Sequence, residues 1–300
     1  MSKKPLNLKS ANLRNLSLRQ LEKLRDSLDL FMFGSRPTGE QWHPEYKKNK
    51  PIFKKLTYQT VRFRNDILRY FEDQAKRLRT LVYINKITAD DNSDWLNIQQ
   101  WQQEDGTLAT IVEVYLSTMF TLGATGFGEE LGAPTGLDQA SPAAKFLANY
   151  ALKLAGDINT TTKKRILQQI NAGITLGESS FQIADRLTNI IESPSRALTI
   201  AQTESVRAYS KGRDAVATDM GATGKYWLTT IDPCPICESI PTDVIDINEA
   251  FVSDANGDDA FEPPMHTNCK CLVRYVFANQ DNSGNSDNVD NSDNTDENSG

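Results

Sequence analysis

The chain has 300 residues, of which 39% are hydrophobic and 24% charged, with 4 cysteines and 2 histidines. A chain of this length can bury one large core or two smaller ones. It does not open with an apolar signal-peptide segment, and no run approaches a membrane span, so we expect a soluble protein made inside the cell. Thiols stay reduced in that compartment, and clustered cysteines then indicate a metal site more often than disulfides.

The net charge of −6 conceals an asymmetry along the chain. Residues 1–88 hold 20 Lys and Arg against 8 Asp and Glu, a balance of +12. Residues 89–300 hold the remaining 13 against 31, a balance of −18. The basic part therefore fits an anionic partner, which could be nucleic acid, a membrane surface or an acidic protein, although a solvated lysine-rich surface has the same composition.

The first 140 residues are predicted to form a basic, helical N-terminal region. Apolar residues form a stripe at helical spacing in a segment that begins at residue 17 and in a longer one over about 53–87. A third segment, 107–122, is apolar over much of its circumference, which predicts a buried helix. The glycine-rich segment 123–130 predicts a flexible hinge, because it lacks the lysine ending of a phosphate loop. Pro134 and Gly136 extend this break and place a domain boundary near residue 140.

Residues 141–278 are predicted to form a second domain of helices followed by a small sheet. Its helices should begin at Ser141–Pro142, at Thr160 or Thr161, at Ser179 or Ser180, and at Ser193–Pro194. Alternating residues then predict strands at 226–231 and 272–277, with an acidic loop between them. The fold class is α+β. Residues 279–300 are almost entirely Asp, Asn, Ser and Gly, which predicts a disordered acidic tail.

All four cysteines lie in two short runs beside the predicted strands. Cys234 and Cys237 form a C-x₂-C pair, and His266, Cys269 and Cys271 follow as a second group. A structural zinc ion takes four such nitrogen and sulfur ligands in a tetrahedron. We predict zinc bound by the four cysteines, with His266 replacing Cys269 or Cys271 as the alternative. A disulfide pair and a set of buried free thiols are the other interpretations.

The second histidine is predicted to have no such role. His43 lies beside Trp42 and Pro44, with no other ligand type nearby, and should be an ordinary loop histidine.

The helix that begins at Ser193–Pro194 carries one polar face. Four polar residues recur three or four positions apart on this face, and Glu204 lies beside them. The four are Arg196, Thr199, Thr203 and Arg207. We interpret this face as solvated, with Arg–Glu pairing. A carboxylate flanked by arginines could also anchor a neighbouring strand or act as a catalytic base.

Taken together and in order, these motifs resemble the phage Mu F-like minor head protein family of tailed bacteriophages. The resemblance covers about residues 160–276. It rests on Arg196 to Glu204, on Trp227 and Asp232 leading into the C-x₂-C pair, and on the group that begins at His266. The family commonly has proline after that histidine, where this chain has Thr267.

The resemblance implies a minor capsid, or head morphogenesis, protein of a tailed phage or prophage. Expected partners are the portal protein and the major capsid or scaffolding protein, with DNA contact through the basic region during packaging or ejection. The expected location is the virion or procapsid, after synthesis in the host cytoplasm. Structural roles are implied for five motif residues: Arg196, Thr203, Glu204, Trp227 and Asp232.

The alternative is an enzyme, such as a nuclease or transferase, that uses Glu204, His266 and Arg196. His266 is tied to the cysteine cluster, and no second histidine lies within sequence reach of it. We therefore predict a protein without enzymatic activity and assign no catalytic residue.

Overall fold

Five long helices form a bundle in the computed structural model, which describes residues 42–85, 98–132 and 142–278. A short 3-10 helix, Pro44–Lys48, precedes them. The helices are α1 (Lys50–Asn85), α2 (Ile98–Leu131), α3 (Pro142–Thr175), α4 (Ser180–Ile191) and α5 (Pro194–Asp219). The helix predicted from residue 17 and the predicted acidic tail lie outside the described residues.

The starts of α4 and α5 agree with the sequence prediction. Ser179 caps α4, and Gln182 completes a capping box with it. Ser193 caps α5 by accepting a hydrogen bond from the amide of Arg196 at 3.3 Å, and Pro194 occupies the first helical position.

The bundle is built around α5, which packs on both α1 and α2. The apolar stripe predicted for α1 is fully buried at Leu56, Phe63, Ile67 and Phe71. These side chains belong to one large core cluster that also includes residues of α2 to α5. Helices from both sides of residue 140 therefore contribute to the same core.

The sheet follows α5 and confirms the α+β fold class. Its strands lie in the order β2-β1-β5 and are antiparallel: β1 (Ala222–Leu228), β2 (Ile245–Asp246) and β5 (Leu272–Phe277). A short helix, α6 (Pro235–Glu238), and a hairpin of β3 (Phe251–Val252) and β4 (Asp259–Ala260) lie between β1 and β5 along the chain. The end of β1 pairs with the start of β5, where Leu228 is opposite Leu272.

The predicted hinge at 123–130 is wrong, because α2 continues through this segment to Leu131. The glycines serve helix packing instead. A Cβ added to Gly123 would lie 2.1 Å from the carbonyl oxygen of Tyr209, and one added to Gly212 would lie 2.1 Å from that of Phe120. The two backbones can approach this closely only without side chains. Pro134 and Gly136 lie outside the described residues.

The prediction of separate helices at 142–155 and from Thr160 or Thr161 is also wrong, because α3 is continuous. Thr161, one of the two threonines expected to begin a new helix, and its neighbour Thr162 bond back along the same helix. Thr161 donates to the carbonyl of Asp157 at 3.0 Å, and Thr162 donates to that of Ile158 at 2.9 Å. Threonine hydroxyls inside helices commonly make such bonds, so their presence alone does not mark a helix start.

One helix is long and apolar enough to cross a membrane, contrary to the prediction that no run approaches a span. It is α2, whose most apolar stretch of 18 residues within Gln100–Leu131 has a mean hydropathy of 1.3. Core helices of soluble proteins have the same property. Leu108, Val112 and Met119 are fully buried against the rest of the bundle, so packing accounts for this apolarity.

Candidate metal centre

The first pair of donors is positioned by the turn that leaves β1. Cys234 is the N-cap residue of α6, Pro235 occupies the first helical position, and Cys237 lies one turn on, facing the interior. Because one short turn holds both residues, their sulfurs lie on the same side of the chain.

The second group of donors lies immediately before β5. The chain reverses at Asn268, whose φ of 60° is in the left-handed region that asparagine tolerates better than most residues. The amide of Cys269 then donates to the carbonyl of His266 at 3.2 Å. Cys271 directly precedes Leu272, the first residue of β5, so the β1–β5 pairing brings the two groups together.

All five predicted donors converge. The Nε2 atom of His266 lies 3.0 Å from the Cys234 sulfur and 3.1 Å from the Cys237 sulfur. The sulfurs of Cys237 and Cys269 are 3.7 Å apart. The donors form two overlapping triplets that share Cys237, one with Cys234 and His266 and one with Cys269 and Cys271, and within each triplet the donor atoms lie within 4.8 Å.

The distance between the sulfurs of Cys237 and Cys269 fits a shared metal ion and does not fit a disulfide. The S–S bond of a disulfide measures about 2.05 Å, and the structure has all four cysteines as free thiols. Two thiolates on one tetrahedral zinc, each about 2.3 Å from the ion, lie about 3.8 Å apart. The Cys237–Cys269 separation matches that geometry.

The tautomer of His266 also suits a metal. Its Nδ1 atom lies 2.8 Å from the carbonyl oxygen of Thr267, which can only accept a hydrogen bond. Nδ1 therefore carries the proton, and Nε2 presents its lone pair to the sulfurs. Carbonyl oxygens orient metal-binding imidazoles in the same way.

Burial makes the cysteine cluster electrostatically unusual. Cys237, Cys269 and Cys271 are buried, whereas Cys234 and His266 are partly exposed. The hydrogen bond between Cys237 and Cys269 raises the pKa of Cys237 and lowers the pKa of Cys269, so the cluster favours one thiolate beside a protonated thiol. A buried thiolate needs compensation, which a bound cation supplies.

Trp227 lines the same site from β1. Its side chain is 1% exposed and packs in a small core with Cys237, Cys269 and Cys271. Its indole N–H is buried and directed to the sulfur of Cys271. A thiolate ligand accepts hydrogen bonds of this type, so this donor is a second feature that fits a metal.

Thr203 connects α5 to the metal-site turn. Its hydroxyl oxygen accepts a hydrogen bond from the backbone amide of Asn268 at 3.1 Å. This contact spans 65 residues of sequence and holds the turn that carries His266 and Cys269 against the bundle. Thr203 is itself buried.

Glu204 faces away from the donors and pairs within the bundle. It is 6% exposed and accepts hydrogen bonds from the Tyr150 hydroxyl at 2.9 Å and from Nε of Arg207 at 3.0 Å. The predicted Arg–Glu pairing is confirmed, but the prediction that this face is solvated is wrong for Thr203 and Glu204. Other parts of the fold cover both residues, and the sequence alone does not predict that these parts pack against this face.

Arg196 binds a different helix from Glu204. It donates to the Thr162 hydroxyl and to the Ile158 carbonyl, both at 2.8 Å, and its guanidinium lies 4.9 Å from the centre of the Phe71 ring. Burial lowers its pKa to about 10. Arg196, Glu204 and His266 thus have separate partners, and the contacts do not assemble the three into one catalytic group.

Two further predicted residues lie at the edges of the site. Asp232 is exposed in the loop between β1 and the C-x₂-C pair. His43 is buried rather than in an open loop. Its Nε2 atom lies 3.2 Å from the Thr229 carbonyl oxygen, and its Nδ1 accepts from the amide of Glu45 at 3.2 Å. Neither residue belongs to the metal-capable triplets.

The sequence did not reveal the residues that hold the acidic loop over the cluster. Lys225 is 1% exposed and donates to the Phe261 carbonyl at 3.1 Å, and burial lowers its pKa. The hydroxyls of Ser239 and Ser253 are 2.8 Å apart, and Ser253 donates to the Ile236 carbonyl at 3.0 Å. Single serines and lysines carry no pattern that would predict such long-range contacts.

Comparison with curated proteins and with solved structures gives no match to the chain. One family model does match, over residues 164–274, and its description is Phage Mu protein F like protein. The matched range contains α4, α5, β1 to β4, the start of β5 and all five donors. Residues 164–274 thus match the model of the same phage Mu F-like family that the motifs of the sequence resemble.

Proposed function

We propose that the chain is a minor capsid protein that takes part in head morphogenesis of a tailed phage or prophage. The family match over residues 164–274 carries this proposal. The expected partners are the portal protein and the major capsid or scaffolding protein, and the expected location is the procapsid and virion. DNA contact during packaging or ejection belongs to the same proposal.

The protein composition of purified particles tests this function. We expect the chain in procapsids, in virions or in both, at a low copy number relative to the major capsid protein. A knockout should reduce the yield of filled heads. If the chain is absent from both kinds of particle, the proposal fails.

We propose further that the cysteine cluster holds one structural zinc ion. The convergence of five nitrogen and sulfur donors supports this assignment, because zinc prefers four such ligands in a tetrahedron. With four protein ligands, the ion would have no open position for a substrate. The chemistry that the ion supplies is neutralisation of buried thiolates, and the ion would thereby fix the turns on both sides of the sheet.

Cys237 is the ligand that every plausible set contains, because it belongs to both triplets. The remaining choice lies among Cys234, His266, Cys269 and Cys271. Metal analysis of purified protein should give about one zinc per chain, and Cys237→Ser should abolish it. Among Cys234→Ser, His266→Ala, Cys269→Ser and Cys271→Ser, the variant that retains the metal identifies the spare donor. Purified wild-type protein without zinc would remove the assignment.

A further inference from the structure

The start of α1 carries a group of cations without acidic partners. We call this group the lysine face; its exposed members are Lys47, Lys50, Lys54 and Lys55, and the partly exposed Arg62 extends it. Residues 50, 54 and 62 lie on one side of the helix at helical spacing. Within the described ranges, no member of the lysine face makes an ion pair.

Other cations of the same region are neutralised. Lys48 pairs with Glu45 at 2.8 Å, and Lys76 pairs with Asp73 at 2.9 Å. Arg77 pairs with Glu104 at 2.7 Å. Between Glu45 and Asp66, by contrast, the sequence has no acidic residue.

The position of the lysine face makes its charge costly for the isolated helix. The first turn of a helix carries partial positive charge and favours acidic side chains, yet the first turn of α1 has none. Local rules of helix stability are commonly broken at sites that bind something. An anion at this position would offset the repulsion.

The chain itself contains a matching anion. Residues 279–300 contain six carboxylates and no cation. Their only aliphatic side chain is that of Val289, so apolar contacts offer this segment little.

The strand that precedes the segment ends near the helix that carries the lysine face. The last residue of β5, Phe277, packs in a small cluster with Phe127 near the end of α2. The neighbouring Gly126 lies against Ile52 of α1, because a Cβ added there would be 3.4 Å from the Ile52 side chain. Ile52 is on the buried side of the turn that carries Lys50 and Lys54. The end of α2 therefore contacts both the end of β5 and the start of α1.

The length of the segment and its covalent attachment to the bundle both favour this contact. A polar chain of 22 residues has a root-mean-square span of about 25 Å, which is enough to cross the end of one helix. A tether of this kind gives an effective concentration on the order of millimolar. Even weak attraction between several exposed charges is then sufficient for occupancy, whereas a free polyanion must first displace the tethered segment.

We propose that the acidic segment 279–300 binds the lysine face of its own chain. The segment neutralises the surface that would otherwise take DNA or an acidic protein, and a stronger polyanion displaces it. This inference rests on the charges and their placement, and it is independent of the metal and of the role in head assembly.

Carboxyl-to-amine crosslinking with a carbodiimide tests the contact on the full-length protein. The chain has no lysine or arginine after Arg274, so trypsin releases the segment in one peptide. We expect crosslinks to concentrate on Lys47, Lys50, Lys54 and Lys55, to persist on dilution and to disappear at 0.5 M salt, a Debye length of about 4 Å. The exposed lysines of α3, Lys153 and Lys164, are internal controls. Crosslinks to these controls at equal frequency would overturn the proposal.

A second measurement uses a synthetic 279–300 peptide and a full-length variant in which the six acids of the segment are replaced by Asn or Gln. The neutralised variant should bind the peptide at least about threefold more tightly than the wild type, as expected when the tethered segment occupies its site at an effective concentration above Kd. When the neutralised variant also carries Lys50→Gln, Lys54→Gln and Lys55→Gln, it should no longer bind the peptide. When it carries the control substitutions Lys76→Gln, Lys153→Gln and Lys164→Gln instead, its affinity for the peptide should be unchanged. A neutralised variant that binds duplex DNA but not the peptide would assign the lysine face to nucleic acid and refute the proposal.

Discussion

Glu204 is a buried carboxylate whose partners come from two helices. The Tyr150 hydroxyl reaches it from α3, and Arg207 reaches it from one turn further along α5. The carboxylate raises the pKa of Tyr150, second to the effect of burial, so this tyrosine remains protonated and can donate. The group fixes the contact between α3 and α5 beside the helix face that carries Thr203.

Removal of this carboxylate should destabilise the fold without loss of a catalytic activity. Glu204→Ala leaves the Tyr150 hydroxyl and Arg207 without their acceptor, and such a loss costs about 1–3 kcal/mol. The control Glu113→Ala removes an exposed carboxylate of α2 and should change stability by less than about 0.5 kcal/mol. Urea unfolding measures both. If Glu204→Ala kept wild-type stability but lost an enzymatic activity that the wild-type protein has, the enzyme interpretation would be favoured instead.

The donor residues could be predicted from the sequence because their geometry is mostly local. Cys234 and Cys237 share one turn, and Cys269 and Cys271 are separated by a single residue. The support around them could not be predicted in the same way. Thr203 meets Asn268 across 65 residues, and only the packing of α5 against the sheet brings them together.

At the scale of elements, the contact between α2 and α5 depends on two glycines that face each other's backbones. Gly123 lies against Tyr209, and Gly212 lies against Phe120. The sequence predicted a hinge at 123–130 because glycine is a poor helix former when considered alone. Here each glycine allows two helices to approach closely, and the partner helix is about 90 residues away in the sequence. Rules that consider only neighbouring residues cannot predict such a contact. Helix starts with a capping serine, by contrast, were predicted correctly because their signal lies within four residues.

Gly212→Ala should separate the two helices. The added methyl group would meet backbone atoms, which cannot rotate away, and overpacking of this kind costs about 1–3 kcal/mol. Gly106→Ala is the matched control in α2, because nothing lies within 4 Å of its added Cβ. That substitution should stabilise the protein by about 0.5–1 kcal/mol, since alanine is the better helix former. Thermal unfolding should therefore shift in opposite directions, and equal shifts would contradict the packing argument.

At the scale of the whole molecule, the described residues form one large core, a smaller core around the cysteines and a small cluster at the end of α2. The larger core joins α1 to α5 and contains most of the buried aromatic residues. The smaller core surrounds the cysteines and includes Trp227, Ile240, Phe251 and Val273. The chain between β1 and β5 has little regular structure, so the smaller core depends on the metal-binding turns for its shape.

This difference predicts a partial response to metal removal. At free zinc about a thousandfold above its Kd, the ion contributes about 4 kcal/mol, which corresponds to a Tm shift of about 8–16 °C for a chain of this size. A strong chelator should therefore lower Tm by that amount while most of the helical circular dichroism persists below the transition. Amide hydrogen exchange should accelerate between residues 229 and 271 and stay slow in α1, α2 and α5, because the larger core needs no metal.

Cys237→Ser should show the lower Tm without chelator and no further change when chelator is added. Acceleration of exchange in the helices to the same extent would mean that the bundle itself depends on the ion, and an unchanged Tm in both experiments would mean that no structural metal is bound.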